Sequence, residues 1–119
     1  MELRKCCPQD PDSKSEWEKS LEKQKGDIPS DMEIERIYEI LHAVSHPIRL
    51  KIAFYLLDQD QCVCELVKLT GKAPNLISHH LMVMRKNTVI KPYMKGGEKY
   101  YKVKENIVPI LRTIKKLEI

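Results

Sequence analysis

The chain predicts a mainly α-helical domain with one β-hairpin (α+β), arranged as a dimeric helix-turn-helix with a wing. Three observations carry this. Residues 63–69 and 74–86 are two helical segments joined by a turn containing Gly71. Two β-rich runs, VIKPYM and KYYKV, flank a Lys95-Gly96-Gly97-Glu98 turn. A last helical segment carries an apolar stripe that no later element covers.

Residues 1–30 read as a polar N-terminal arm with a short helix. Pro8, Asp10, Pro11, Asp12, Ser13 and Ser15 make a turn-rich lead. Residues 15–25 favour helix, with Trp17 and Leu21 as the only apolar pair, spaced i,i+4; Gly26 and Pro29 end it. Residues 31–119 read as the winged helix-turn-helix domain. Its first helix, 31–45, is capped by Ser30 or Asp31 and aligns Ile34, Ile37, Tyr38, Leu41 and Val44 on one face. His46-Pro47 breaks that helix, and Pro47 opens the next where its missing N–H costs nothing. That helix runs to about residue 57 and buries Ile48, Ile52, Ala53, Leu56 and Leu57.

In the helix-turn-helix, Leu66, Leu69, Ile77, Leu81 and Met84 are the expected core contacts. Asn75, Ser78, His79 and Met82 fall on the outer side. His80 is expected as a satisfied core histidine, and His42 and His46 as structural. Met82 and Met84 are expected to pack, since helical spacing explains them better than copper ligation does. The hairpin spans 89–103 and is surrounded by Lys91, Lys95, Lys99, Lys102 and Lys104. The last helix, 105–117, carries Ile107, Ile110, Leu111, Ile114 and Leu117 as the expected dimerisation face.

The chain has 119 residues and a net charge of +4. The charge is uneven: −1 over residues 1–30, −2 over 31–58 and +7 over 59–119. A basic half that also holds a helix-turn-helix is the footprint of a DNA-facing surface, although a solvated lysine-rich face would look the same by charge alone. Double-stranded operator DNA is the expected partner. Asn75, Ser78 and His79 are candidate base or phosphate contacts, and Lys72, Arg85, Lys86, Lys91, Lys95 and Lys99 candidate phosphate contacts. An enzyme is not expected, because the chain has no paired-carboxylate cleft signal, phosphate loop or nucleophile elbow. No apolar run approaches the ~20 residues of a membrane helix, and Met1–Pro8 lacks the apolar stretch of a secretory signal. The expected location is the cytoplasm, with no membrane partner. Thiols stay reduced there, and clustered cysteines more often bind metal or sense redox state than form disulfides.

The chain has four cysteines. Cys62 and Cys64 open the first helix of the helix-turn-helix, and Cys6 and Cys7 lie in the arm. Thiolates select soft ions, so Cd, Pb, Zn or As(III) is the expected effector, and no organic cofactor is implied. Side chains at i and i+2 of a helix point apart, so Cys62 and Cys64 share an ion only if Cys62 lies at or before the cap. Two alternatives stand beside a metal switch: a thiol redox switch on the same DNA-binding fold, and an interaction module stabilised by zinc.

Three stretches in register resemble the ArsR/SmtB family of metal-sensing winged-helix repressors. They are Ser45-His46-Pro47-Ile48-Arg49-Leu50-Lys51-Ile52, Cys62-Val63-Cys64-Glu65-Leu66 and Ile77-Ser78-His79-His80-Leu81, within a match extending from about Tyr38 to Leu111. The wing Gly97-Glu98-Lys99-Tyr100-Tyr101 fits less distinctively. The resemblance implies a homodimer that represses an operator when metal-free and releases it on metal binding. Within the family the four-cysteine layout is most similar to the cadmium/lead-sensing branch. There two thiolates come from the Cys-x-Cys helix and the others from the arm of the opposite subunit, which here means Cys7 and Cys6. The arsenic branch's third helix cysteine is Val67 here, and the last helix has no histidine for the family's second site. Asn87-Thr88 replaces the family's glycine after the recognition helix, with Asn87 expected to accept the left-handed conformation.

Overall fold

The computed structural model describes residues 7–119, so Cys6 lies outside the described residues. The chain forms two compact units divided between Glu35 and Arg36.

The first unit holds α1, Pro11–Asp27. It starts four residues before the expected helix because Asp10 caps it and Pro11 takes the first position. The Asp10 carboxylate accepts from the Ser13 N–H at 3.0 Å. Hydrogen bonds from Ser13 hold that carboxyl below its ordinary range. The helix passes through Gly26 before stopping. Trp17 and Leu21 are half-buried and α1 has no fully buried residue. A capping box starts α2, Asp31–Val44: the Glu33 N–H donates to Ser30 Oγ at 3.2 Å, and the Ser30 N–H donates back to Glu33 Oε1 at 3.2 Å.

The second unit continues through α3 (Pro47–Asp58), β1 (Gln61–Cys62), α4 (Val63–Thr70), α5 (Pro74–Lys86), β2 (Ile90–Lys95), β3 (Glu98–Val103) and α6 (Val108–Lys115). Its core is one cluster. Ile52, Ala53 and Leu56 of α3 meet Leu66 of α4, Ile77, Leu81 and Met84 of α5, and Leu111 of α6. Ile90, Tyr101 and Val103 supply the inward positions of the hairpin while Lys91 points out, the two-residue alternation of a half-buried strand. The three-stranded antiparallel sheet has the order β1-β3-β2.

Several expectations change. The aligned apolar face of α2 is buried only at Val44; Ile34, Ile37, Tyr38 and Leu41 are 44–48% exposed. The stripe is real, but nothing within the second unit covers Ile37, Tyr38 and Leu41. The last helix is shorter than 105–117, and Ile107 and Leu111 face their own core, leaving Ile110 and Leu117 outside. Leu69, expected in the core, is 42% exposed.

The left-handed residue after α5 is Thr88 (φ 59), not Asn87 (φ −95). Asn87 stays in a turn conformation because its Nδ2 donates to the Val83 carbonyl at 2.9 Å. Thr88 is held by Arg36, which donates to its Oγ1 at 2.7 Å, and the Val89 N–H closes the turn on the Met84 carbonyl at 2.9 Å. A β-branched residue is costly there. Thr88→Asn is expected to stabilise the protein by about 1 kcal/mol, or roughly 4 °C in melting temperature. Calorimetry checks this, and an unchanged or lower Tm contradicts it.

Candidate nucleic-acid interface and thiol site

α4 and α5 form the helix-turn-helix. Gly71 (φ 71) ends α4 and its N–H donates to the Val67 carbonyl at 2.9 Å. Pro74 then opens α5, whose cap residue Ala73 makes no side-chain hydrogen bond. α5 buries Ile77, His80, Leu81 and Met84. Its opposite side exposes Asn75, Ser78, His79, Met82, Arg85 and Lys86. Met82 therefore does not pack as expected; it is 59% exposed, and Met84 is the core methionine.

The wing turns at Gly96 (φ 59) and Gly97 (φ 80), the pair of positive φ angles that a tight two-residue hairpin needs. Lys91, Lys95 and Lys99 are exposed on it, and Lys72 is exposed in the turn before α5. Lys91 pairs directly with Lys102 across β2 and β3. Like charges placed opposite each other repel, so the pair favours an anionic partner. The Lys99 Nζ sits 5.9 Å from the Tyr101 ring centroid, an additional cation–π contact. All nine candidate DNA contacts are on the surface.

The inner face of α5 carries a polar cluster around His80. His80 is 5% exposed, and Arg49 Nη1 lies 3.2 Å from its Nδ1. Guanidinium only donates, so Nδ1 is the acceptor. His46 caps α3, accepting from the Ile48 N–H at 3.1 Å, and its ring lies 4.6 Å from that of His80. Burial first, then the charges of His46, Arg49 and His79, push the His80 pKa below the ordinary histidine value. The unfolded chain then binds this proton more readily. The stabilisation from neutral His80 is present above the ordinary histidine range and is lost as pH falls through it. Melting temperature is expected to drop between pH 7.5 and pH 5, and His80→Gln, which keeps an acceptor for Arg49, should flatten the drop. An equal drop in the variant would contradict His80 as its source.

Cys62 lies in β1 and caps α4, with φ −93 and ψ 169. The Cys62 N–H donates to Glu65 Oε1 at 3.0 Å, and this bond is the main reason the Glu65 carboxyl lies below its ordinary range. Cys62 is half-buried and Cys64, one residue into the helix, is exposed. The cap position meets the requirement that Cys62 leave the helical path, so the pair can present two soft donors together. Val67 is half-buried in the next turn. Among the described residues no three His, Cys, Asp or Glu side chains come together as a ligand set. A soft ion held by Cys62 and Cys64 would need further donors to complete a tetrahedral or pyramidal shell. Cys7 belongs to the first unit, is exposed and takes a left-handed backbone (φ 57).

The strand β1 is the feature that pattern reading missed. Two residues are too short for periodicity to detect, and only pairing defines them. Gln61 pairs with Tyr101 and Cys62 with Tyr100, so the thiol segment is an edge of the wing's own sheet. A second tie crosses β3: the Tyr93 hydroxyl on β2 donates to Asp60 Oδ2 at 2.6 Å. That bond leads the causes that push the Tyr93 phenol up to about 12. The Tyr93 and Tyr100 rings stack at 5.9 Å.

The family model for the bacterial regulatory protein arsR family matches residues 46–91, which span α3, the thiol segment, the helix-turn-helix and the start of the wing. An uncharacterised HTH-type transcriptional regulator, MJ1325 of Methanocaldococcus jannaschii, is 31% identical over 85 residues, covering 70% of this chain and 96% of that protein. A transcriptional repressor SmtB homolog of Synechocystis is 28% identical over 74 residues, covering 62% of this chain and 56% of that one. The chain thus spans little more than half the length of that repressor. Among solved structures, the transcriptional repressor PagR of Bacillus anthracis superposes with a TM-score of 0.66 at 28% identity, covering 71% of this chain and 99% of PagR. The matched family is one of regulatory proteins, not enzymes. A helix-turn-helix followed by a basic hairpin, within a sequence that matches along the same elements, makes this chain a winged helix-turn-helix member of the bacterial arsR family.

Proposed function

We propose that the protein is a homodimeric transcriptional repressor that binds operator DNA when metal-free and releases it when its cysteine thiolates take up a soft ion. The observation that carries this reading is the position of Cys62. It is at once the cap of the first helix of the helix-turn-helix and the strand partner of Tyr100 in the wing. A displacement of that one residue acts on both elements that would touch DNA.

The DNA face is Asn75, Ser78 and His79 toward base edges or phosphate, with Lys72, Arg85, Lys86, Lys91, Lys95 and Lys99 toward phosphate. The uncapped start of α5 leaves N–H groups open to a phosphate as well. Dimerisation joins the exposed stripe of α2 to that of a second copy. That sets two α5 helices about one DNA turn apart.

Cys62 and Cys64 supply two thiolates, and Cys7, with Cys6 beside it in sequence, supplies the rest from the arm of the second copy. The donor chemistry fits Cd(II), Pb(II), Zn(II) or As(III), and the four-cysteine layout favours the cadmium/lead type. Cys62 then shifts β1 against β3, while Cys64 draws on the first turn of α4. Both motions disturb the geometry of α5 and the wing. Coupling is reciprocal, so operator DNA weakens ion affinity by the same factor that the ion weakens DNA affinity.

The test is a Cd(II) titration of the reduced protein, following thiolate-to-metal ultraviolet absorption and the anisotropy of a labelled fragment of its own promoter. Absorption growing to one ion per subunit with parallel DNA release is the expected result. DNA binding indifferent to Cd(II) but lost on oxidation would replace the metal reading with a thiol redox switch. Unfolding on chelation, with only weak salt-dependent DNA binding, would replace it with a zinc-stabilised interaction module.

A further inference from the structure

We propose that Met82 reads a thymine methyl group in each half-site, making it a sequence-determining contact of α5. The inference rests on the DNA-binding reading above. At 100° per residue, Asn75, His79, Met82 and Lys86 form one stripe of α5, opposite the buried Ile77, His80, Leu81 and Met84. Every other member of that stripe is polar or cationic, and Ser78 and Arg85 flank it. Met82 stands in its middle, 59% exposed, and does not pack into the core. An apolar side chain set among cationic and hydrogen-bonding neighbours suits a surface that is anionic and polar with isolated apolar points. The major groove of DNA is such a surface, and the thymine C5-methyl is its one apolar group. The unbranched, polarizable thioether adapts to such a contact without a preformed pocket. Met82 thereby selects thymine over cytosine at a position where hydrogen-bonding residues nearby read other base edges.

The experiment uses the full-length reduced protein and a duplex that it enriches from a random-sequence pool. Each thymine of the half-sites is replaced in turn by deoxyuridine, which removes only the methyl group. The expected result is one position per half-site where the wild type loses roughly fourfold in affinity, the worth of one buried methyl. Met82→Ala should bind the thymine and deoxyuridine duplexes equally well at that position, with an unchanged salt slope because no phosphate contact is lost. Its melting temperature should match the wild type, since the side chain is exposed. Indifference of the wild type to every replacement overturns the proposal, as does discrimination that survives in Met82→Ala. In either case an enriched duplex leaves the DNA-binding reading standing. Failure to enrich any duplex overturns that reading and the role of Met82 with it.

Discussion

Cys64→Ser is expected to abolish ion-driven release of DNA while leaving metal-free DNA affinity within about twofold. Its effect is large because, in the proposed site, Cys62 and Cys64 bring only two donors, and loss of Cys64 leaves the lone thiolate of Cys62 at the cap of α4. Ion affinity should fall by at least about 100-fold, at or beyond the upper end of what losing an outer-shell partner costs. The fold should tolerate the change. Cys64 is exposed, it makes no core contact, and serine suits the first turn of a helix. An exposed substitution of this kind changes stability by no more than about 0.5 kcal/mol. Circular dichroism, the Cd(II) absorption titration and DNA anisotropy, run on one preparation, separate the outcomes. Normal ion-driven release by Cys64→Ser would place the effector site elsewhere. Loss of metal-free DNA binding would mean that Cys64 has a structural part in the helix-turn-helix.

Leu41→Arg is expected to yield a folded monomer with at least about 100-fold weaker operator binding. Within the second unit Leu41 is 48% exposed, as are its stripe neighbours Ile37 at 46% and Tyr38 at 48%. An arginine there meets water in the monomer and costs the subunit little. In a symmetric dimer the same position meets its own equivalent region, so the charge is placed twice in an apolar interface. Losing the dimer removes the advantage of engaging two half-sites at once, which is worth about 10²–10⁴ in affinity. Sedimentation equilibrium gives the mass, and anisotropy on two-half-site and single-half-site duplexes gives the linkage. A variant that stays dimeric would assign the interface to other surfaces. A monomer that binds the two-half-site duplex at full strength would remove dimerisation from the mechanism.

The placement of these residues was legible in the sequence to different depths. The helices α3, α4 and α5 and the hairpin came within a residue or so of their expected bounds. Each is marked at its ends by a residue with a steric role: Pro47, Gly71, Pro74, and Gly96 with Gly97. Periodicity also placed the inward residues of α5 correctly, because a 13-residue helix samples every direction several times. Where a stripe points is another matter. The apolar face of α2 was legible, but its being bare within the second unit was not, since spacing marks a face without naming what covers it. The reverse holds for α6, whose Ile107 and Leu111 found a partner in their own core.

Local chemistry alone thus settles α3, α4, α5 and the hairpin, the glycine turns at Gly71 and Gly96-Gly97, the polar outward set on α5 and the existence of a thiol pair at a helix start. Those follow from backbone sterics and repeat length, which act over a few residues. Tertiary structure alone decides that the thiol segment is a strand of the wing's sheet, that Asp60 reaches Tyr93, that Arg49 and His46 close on His80, and that Thr88 rather than Asn87 takes the strained turn. Each of these depends on residues brought together across the fold, or on a side-chain hydrogen bond such as that of Asn87 to the Val83 carbonyl, and no spacing along the chain encodes the outcome.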